Sequence, residues 1–598
     1  MAMTINLKTS LRRIYAHPVG RDVIDKLLLQ LDKPAWLVDN PLVGGLTLGL
    51  VKKLLGKRVG DGFYEALLEL LNSEHDVPSP QPAPDAPAWW KEAMFYQIYP
   101  RSFTSDGLRG ILGKLDYLRE LGVDAVWLSP VYDSPNDDNG YDIRDYRRIQ
   151  AEFGEMADME ALIAGLHQRG MRLVMDLVVN HTSDEHRWFQ EALREDNSPY
   201  RGYYFFRQSV EKPPNNWTSF FSGPAWRYFA EQDVWALHLF TKKQMDLNWE
   251  CPALRREIHD MVRWWLEKGV DGFRLDVINY ISKTSGLPDG DPFIGALMGY
   301  TGIERYFYGP LLHQYLRELR AEAFAPYGAF SVGETPGVGV QMGRLLTDDG
   351  RGELDLIFSF DHLETPGHTR FEDYRYDLSY LKRFYLGHLN ADLGHGWNTL
   401  FFNNHDNPRM VSKIDPEGAY TGPLAKLLAV LQFTLRGTPF IYQGDEIGAG
   451  NIPFASIDEL RDVESLNLYA ELSQTMPPAE ALRKVLAGTR DHARAPIPWQ
   501  EAGRQRGQAG SVWNFYRELI TLRQSSPALV YGKLTFLRPK DRWLLCYTRQ
   551  LTGDCFYIEA NLSRKERRSY APRGAELLMG NYEGQGDTLR AYEARVYY

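Results

Sequence analysis

Along most of the chain, short apolar runs alternate with stretches whose apolar residues recur at helical spacing. Helical patterns such as "LGKLDYLRELG" and "MEALIAGLHQRG" separate the early runs. The runs predict eight strands: "MFYQIYP", "AVWLSP", "RLVMDLVVN", "GFRLDV", "FSVGE", "LDLIFSF", "TLFFNNHD" and "FIYQGDE". Strands that alternate with helices eight times predict an α/β fold, a parallel (β/α)8 TIM barrel, which we assign to residues 91–525.

The segment before the barrel has a different pattern. Residues 1–75 contain "VIDKLLLQL", "LTLGLVKKLLG" and "FYEALLELLN", which predict a helical N-terminal extension. Residues 76–90 are rich in proline, which is typical of an extended, semi-rigid linker. Two interpretations of the extension stay open: a surface for a partner or a second copy of the chain, and a small helical cap docked on the barrel.

Two further units are predicted. Residues 182–247 follow the third strand, are rich in aromatic residues and show little helical periodicity, so they form an inserted subdomain, subdomain B. The last ~70 residues alternate apolar and polar positions, as in "LLCYTR" and "CFYIEANL". This alternation predicts a C-terminal antiparallel β domain over residues 526–598, which we expect to be a β-sandwich.

Composition narrows the class of function. The formal net charge of −10 argues against nucleic acid or an anionic membrane as the main partner. Three cysteines without a CxxC pair favour reduced thiols, and the first residues lack an apolar core of signal-peptide length. No run of about 18 apolar residues occurs. We therefore expect a soluble cytoplasmic protein with no membrane partner.

Polar residues follow four of the predicted strands. In a (β/α)8 barrel, the carboxyl ends of all strands meet at one face, which carries the active site. Three carboxylates, with histidines and an arginine beside them, should therefore converge in one cleft. The strand-end residues are Asn180, His181, Arg274, Asp276, Glu334, Asn404, His405 and Asp406.

Clustered acids indicate either a metal site or acid–base chemistry. The tight cluster "HTSDEH", residues 181–186, lacks the i, i+4 histidine pair of zinc proteases. Two carboxylates acting on one bond, one ionised and one protonated, are the pattern of glycoside hydrolysis. Aromatic residues make up 13% of the chain, and aromatic rings stack on sugars. The residues themselves therefore favour a glycosidase.

Four motifs in order, "LVMDLVVNHTS", "GFRLDV", "SVGE" and "NNHDNP", resemble the signature regions of glycoside hydrolase family 13, the α-amylase family. The resemblance covers roughly residues 91–598. Within the family, the chain looks most similar to the oligo-1,6-glucosidase and α-glucosidase group. The further stretches "SPNDDNGYDIRDY", "KKQMDLNWE", "QGDEIG" and "RDHARAPIPW" favour that group.

The resemblance implies a role for each site residue. Asp276 would be the nucleophile, Glu334 the general acid and base, and Asp406 the group that holds the sugar hydroxyls. Arg274 would keep Asp276 ionised, since a nearby cation lowers a carboxyl pKa. The remaining substrate-binding positions would be His181 and His405 on hydroxyls, Tyr141 stacked under the terminal glucose, Asp138 and Arg494 closing the pocket, and Val277 beside the nucleophile.

Because the implied pocket is closed, the expected activity is that of a retaining, exo-acting α-glucosidase on short oligosaccharides. In the group it resembles, valine at position 277 accompanies α-1,6 activity. Trehalose-6-phosphate hydrolase and the transglycosylating sucrose isomerases and trehalose synthases are alternatives. A non-catalytic scaffold protein is disfavoured, because all three acids are present.

No cofactor is expected. Many relatives carry a D-x-N-x-D-G loop after the first strand, whereas this chain has "RSFTSDGLRG", so a structural calcium is not expected. The predicted partner is a small oligosaccharide, and the N-terminal extension could hold a homo-oligomer together.

Overall fold

The structure, a computed structural model, describes residues 4–30, 33, 37–56, 59–72, 87–208, 211–389 and 397–598. Most of the predicted proline-rich linker, residues 76–90, lies outside these residues. The chain forms two compact units. The first contains the N-terminal helices, Pro130–Gln150 and Asp176–Phe360, and the second contains the barrel residues up to Ser129, Ala151–Met175 and Asp361–Tyr598.

The α-helices of the described residues are mostly short and amphipathic. They are α1 (Leu11–Tyr15), α2 (Pro18–Gln30), α3 (Pro41–Gly44), α4 (Leu48–Leu55), α5 (Asp61–Leu71), α6 (Trp89–Glu92), α7 (Pro100–Phe103), α8 (Gly107–Leu112), α9 (Leu115–Leu121), α10 (Met156–Gln168), α11 (Arg187–Arg194), α12 (Pro252–Glu267), α13 (Pro292–Met298), α14 (Leu312–Leu319), α15 (Val340–Leu346), α16 (Leu378–His388), α17 (Met410–Ile414), α18 (Thr421–Thr434), α19 (Val463–Leu472), α20 (Pro478–Gly488), α21 (Trp499–Arg506), α22 (Val512–Gln524) and α23 (Pro527–Tyr531).

The strands lie in one parallel sheet and several small antiparallel ones. They are β1 (Phe95–Ile98), β2 (Ala125–Leu128), β3 (Tyr132–Asp133), β4 (Asp145–Ile149), β5 (Arg172–Leu177), β6 (His181–Ser183), β7 (Phe206–Gln208), β8 (Trp226–Phe229), β9 (Val234–Leu237), β10 (Gln244–Asp246), β11 (Gly272–Leu275), β12 (Phe330–Glu334), β13 (Leu356–Phe358), β14 (Thr399–Leu400), β15 (Thr438–Tyr442), β16 (Lys533–Leu537), β17 (Leu544–Leu551), β18 (Asp554–Asn561), β19 (Arg567–Arg568), β20 (Leu577–Gly580), β21 (Thr588–Leu589) and β22 (Ala594–Tyr597).

The parallel sheet has eight strands in the order β13-β12-β11-β5-β2-β1-β15-β14, a nearly closed barrel. Each of the eight predicted runs contributes one strand, so the predicted fold class is confirmed. The runs are apolar because both faces of such strands are buried, and β1, β2 and β15 are buried along their whole length. The seventh strand is shorter than predicted, since β14 ends at Leu400, before "NNHD".

The N-terminal extension is helical, as predicted, and consists of α1–α5. Asn40 and Thr47 accept backbone N–H groups at the starts of α3 and α4, which satisfies donors that a helix start leaves unpaired. Asn72, which follows α5, hydrogen-bonds the backbone N–H of Ile5 at 2.8 Å. This contact joins the end of the extension, after α5, to its beginning, before α1.

Residues 182–247 hold antiparallel structure. β6 pairs with β10, and β7, β9 and β8 form a three-stranded sheet. Helix α11 was not predicted from the sequence pattern. Its N-cap residue is His186, whose side chain accepts the Trp188 N–H. The boundaries of this subdomain stay a prediction.

The C-terminal residues form an antiparallel sheet in the order β16-β17-β18-β22-β20, and β19 pairs separately with β21. The predicted antiparallel domain is confirmed. The buried Arg549 of β17 donates to the carbonyls of Thr434 and Val530 at 2.7 and 2.8 Å. This arginine therefore ties the domain to the end of α18 and to α23.

Candidate active site

Arg274, the third residue of β11, binds three carboxylates. Its Nη1 donates to Asp176 Oδ1 and to Asp276 Oδ1, each at 2.6 Å, and its Nη2 donates to Glu334 Oε2. Arg274 is 1% exposed, and the carboxylates belong to the ends of β5, β11 and β12. Charges this deeply buried must be paired. One guanidinium thus holds both predicted catalytic acids, and it also holds Asp176.

The pKa of Asp276 differs from the expectation. The Arg274 cation was expected to leave the carboxyl with a lowered pKa, but burial raises the pKa of Asp276 to about 6. Arg274 lowers the pKa and the neighbouring Asp176 raises it, so burial outweighs the cation. Asp276 is still mainly ionised at neutral pH, as a nucleophile must be.

Glu334, the last residue of β12, lies against Asp276. Both side chains accept from the Arg274 guanidinium, Asp276 from Nη1 and Glu334 from Nη2. Glu334 Oε2 also accepts the backbone N–H of Val277 at 3.3 Å. Two carboxyl groups held by one guanidinium can serve one bond as nucleophile and as acid, which is the arrangement that retaining glycosidases use.

Val277 is not on a strand, contrary to the prediction. β11 ends at Leu275, and Val277 has left-handed backbone angles, φ 36° and ψ 41°. A β-branched residue rarely adopts this conformation, which concentrates at functional sites. Its side chain packs in an aromatic cluster with Tyr280 and Tyr306. The turn directs the Val277 N–H toward Glu334, and an extended strand end would not explain this contact.

Tyr141 joins the same group. Its hydroxyl donates to Asp176 Oδ2 at 3.3 Å, and the Arg274 guanidinium lies 5.8 Å from its ring centroid. Asp176 is not among the site residues predicted from the sequence. The signal was present, since Asp176 is a charged residue inside the apolar run "LVMDLVV". A charged side chain on a buried strand needs an oppositely charged or hydrogen-bonding partner, because an unpaired buried charge is strongly destabilising.

Asp138 and His181 meet at Gln244 of β10. The Gln244 amide nitrogen lies 3.1 Å from Asp138 Oδ2 and 3.1 Å from His181 Nε2. Burial is the main cause that lowers the pKa of His181, to about 3, with a smaller contribution from the Lys283 cation. The imidazole is therefore neutral at working pH and can form hydrogen bonds but no ion pair.

Lys283 and Asp246 form a fully buried ion pair behind His181. Lys283 Nζ lies 2.7 Å from Asp246 Oδ2 and donates to Asn180 Oδ1 at 3.1 Å. The Asn180 amide nitrogen lies 3.2 Å from His181 Nδ1. Sequence reasoning missed this pair, because the two residues are 37 positions apart and no local pattern links them.

In the second unit, Asp406 is surrounded by cationic and imidazole groups. Arg494 Nη2 donates to Asp406 Oδ1 at 2.8 Å, and His405 Nε2 lies 3.1 Å from Asp406 Oδ2. Arg490, which was not predicted, lies 3.4 Å from Asp406 Oδ1. His405 stacks on Tyr99 with ring centroids 5.8 Å apart. The structure thus brings three predicted residues together here, and their convergence with Asp276 and Glu334 stays a prediction.

No group of three or more His, Cys, Asp or Glu side chains arranged to hold a metal ion occurs in the part of the chain that the structure describes. In the stretch that replaces the D-x-N-x-D-G loop, the Arg109 guanidinium donates to Asp158 Oδ1 at 2.7 Å. The absence of a cofactor stays a prediction.

We expect neither activity nor Tm to depend on calcium. A guanidinium beside the replaced loop would repel a divalent cation. The check is to measure both quantities before and after treatment with a chelator. A loss that added calcium reverses would contradict the expectation.

The raised pKa of Asp276 predicts the acidic limb of the pH profile. As the predicted nucleophile, Asp276 would attack only when ionised, so kcat/KM should fall as pH drops through about 6, two units above the range of an exposed aspartate. The limb is measured on the purified enzyme between pH 4 and 8, with Tm recorded at each pH to separate titration from unfolding. A limb near pH 4 with an intact fold would contradict the assignment.

A (β/α)8 barrel in which one arginine binds three buried carboxylates is typical of an enzyme that uses acidic side chains in its reaction. The family model of the alpha-amylase catalytic domain matches residues 97–532. An oligo-1,6-glucosidase of Parageobacillus thermoglucosidasius is 44% identical over 85% of this chain and 98% of its own. The trehalose-6-phosphate hydrolase of Escherichia coli strain K12 is 40% identical over 85% of this chain and 98% of its own. The isomaltulose synthase structure from Klebsiella sp. LX3 has a TM-score of 0.80, at 37% identity, and covers 86% of this chain and all of that one.

The chain belongs to the alpha-amylase family, glycoside hydrolase family 13, and is a glycoside hydrolase. The family resemblance and the enzyme class predicted from the motifs are confirmed. Among the described residues, no helix is long and apolar enough to cross a membrane.

Proposed function

We propose that this protein is a retaining, exo-acting α-glucosidase that hydrolyses terminal α-glucosidic bonds of short oligosaccharides, including α-1,6 bonds. The observation that carries the proposal is the buried pair of Asp276 and Glu334 on one guanidinium. The oligo-1,6-glucosidase relatives support the substrate class.

In the proposed reaction, Asp276 Oδ attacks the anomeric carbon while Glu334 gives its proton to the departing oxygen, which yields a β-glycosyl ester and the free aglycone. Glu334, now ionised, removes a proton from water. The water oxygen bonds to the anomeric carbon, and the ester bond to Asp276 breaks, so the α configuration is retained. Arg274 stays bound to both acids and offsets the negative charge that passes from one to the other.

The remaining residues are proposed to hold the terminal glucose. Tyr141 would stack on its apolar face, and Asp138 and His181, joined through Gln244, would bind hydroxyls. Asp406, with His405 and Arg494, would bind further hydroxyls. In the described part of the chain, Arg494 Nη1 is buried without a hydrogen-bond partner, which supports a ligand contact there.

Trehalose-6-phosphate hydrolysis is less well supported. A phosphate dianion is recognised by arginine or lysine groups free to pair with it. Three arginines near Asp406 are already paired: Arg370 with Glu464, Arg490 with Asp462, and Arg494 with Asp406. The charges of these three pairs balance, which favours a neutral oligosaccharide.

The linkage is tested by comparing isomaltose, maltose, trehalose-6-phosphate and sucrose as substrates. We expect isomaltose to be cleaved at least as efficiently as maltose, and Val277→Thr to shift the kcat/KM ratio toward maltose by about tenfold, the ~1–3 kcal/mol of one pocket contact. Threonine keeps the β-branch that the left-handed turn already tolerates, so the change tests polarity. A parent enzyme that cleaves maltose well and isomaltose hardly at all would contradict the α-1,6 assignment.

Two finer predictions accompany this function. A cytoplasmic location is proposed from the cysteine usage, and all three cysteines are free in the structure. Homo-oligomerisation through the N-terminal extension is proposed from its surface, where Leu42 and Leu54 are 83% and 69% exposed.

A further inference from the structure

The N-terminal extension contacts the two barrel loops that follow β11 and β12, the strands next to which the predicted catalytic acids lie. One loop follows β11 and contains Asp276, and the other follows β12, which ends at Glu334. α2 of the extension contacts α15 after β12, and α5 contacts the 3-10 turn Ile303–Arg305 in the loop after β11. Loops at the carboxyl ends of barrel strands shape the active site, so contacts to these loops bear on function.

Asp22 of α2 supplies the cap that α15 lacks. The N-cap residue of α15 is Gly339, which has no side chain to accept the first free N–H groups. Asp22 Oδ2 instead accepts the Met342 N–H at 2.6 Å, which is the bond that an N-cap side chain normally makes. A Cβ at Gly339 would lie only 2.5 Å from Asp22 Cγ. The glycine therefore leaves room for a carboxylate that arrives from 320 residues away in sequence.

A second contact follows the same pattern at the other loop. The Gly60 N–H, at the start of α5, donates to Asp291 Oδ2 at 2.5 Å. Asp291 Oδ1 caps α13 by accepting the Phe293 and Ile294 N–H groups. A Cβ at Gly60 would lie 2.6 Å from Asp291 Oδ2. At each loop, an aspartate on one side of the contact thus lies against a glycine on the other side.

The start of α15 is close to Glu334 along the chain. Only residues 335–338 separate Glu334 from Gly339. The first residue of this turn is held because the Thr335 N–H donates to the Phe358 carbonyl at 3.2 Å. The last, Val338, is fully buried. The Asn279 amide donates to the Phe307 and Pro336 carbonyls at 2.9 and 3.3 Å. These bonds link the turn after Asp276 to the turn after Glu334.

We propose that Asp22 is a positioning residue for the general acid: by capping α15 from the N-terminal extension, it sets the turn that orients Glu334. The inference rests on the proposed function, which makes Glu334 the acid. It gives the extension an internal role in the catalytic domain, separate from any partner surface.

The test compares two α-glucosides, isomaltose, whose leaving group needs a proton, and p-nitrophenyl α-glucoside, whose leaving group does not. We expect Asp22→Ala to lower kcat/KM, which reports the first step, about tenfold on isomaltose and less than threefold on the aryl glucoside. A smaller amount of folded enzyme would lower both rates equally, so the ratio reports the orientation of Glu334. Asp22→Asn keeps an oxygen that accepts the Met342 N–H and should stay within about twofold of the parent on both.

Asp39→Ala is the matched control, since Asp39 is an exposed aspartate of the same extension. If Asp22→Ala does not fold, Gly339→Ala keeps Asp22 but displaces its carboxyl, and it should show the same split. An unchanged ratio in the folded variant overturns the inference. Glu334→Gln is measured in parallel: if it shows the split and the Asp22 and Gly339 variants do not, only this inference fails. If Glu334→Gln shows no split, the assignment of the acid fails, and the inference fails with it.

Discussion

Replacing Asp276 with asparagine should abolish nearly all turnover and leave the fold intact. A neutral amide cannot form the glycosyl ester, so the reaction loses its covalent route and several kcal/mol of barrier lowering, each ~1.4 kcal/mol being tenfold in rate. The asparagine oxygen can still accept from Arg274 Nη1, and Arg274 keeps its contacts with Asp176 and Glu334. The measurement is kcat on isomaltose, with Tm and circular dichroism to show that the protein is folded.

Asp271→Asn is the matched control for this variant. Asp271 directly precedes β11, at the opposite end of the strand from Asp276, and its carbonyl accepts the Phe330 N–H at 3.0 Å. The amino ends of barrel strands serve stability rather than catalysis, so this variant should keep its activity. Folded Asp276→Asn protein with activity near that of the parent would refute the nucleophile assignment.

The sequence predicted the barrel well because its signal is repeated and local. Most strands are apolar runs buried on both faces, and helical patterns separate the early runs, so one short strand such as β14 does not obscure the count. The ends of β5, β11 and β12 carry charged residues, and parallel strands bring their carboxyl ends to one face of the barrel. The sequence alone therefore predicts that Arg274, Asp276 and Glu334 lie close together.

Features that depend on distant residues could not be predicted. Burial sets the pKa of Asp276, and burial depends on everything packed around it, so the sign of the shift came out opposite to that expected from Arg274 alone. The left-handed turn at Val277 looks like a strand residue in the sequence. Asp22 is one of several charged residues in an amphipathic helix, and only the fold shows that it caps α15.

Replacing Glu334 with glutamine should nearly abolish the cleavage of isomaltose while activity on p-nitrophenyl α-glucoside falls far less. The glutamine oxygen can accept from Arg274 and Val277, so both of these contacts of Glu334 are preserved. Only the transferable proton is lost. General acid catalysis contributes about 10²–10⁴-fold, and a nitrophenolate leaves without it, so the two substrates should diverge by about that factor in kcat/KM, which reports the first step.

With the aryl substrate, hydrolysis of the glycosyl ester also lacks its base, so this second step should become rate-limiting. A burst of nitrophenol equal to the enzyme concentration is therefore expected before a slow steady state. Since Asp276 remains, the trapped ester would be attached to it, and mass spectrometry of the quenched protein would show one added glucosyl group. Equal loss of activity on both substrates, with no burst and no adduct, would show that Glu334 is not the acid, even if Asp276 proves to be the nucleophile.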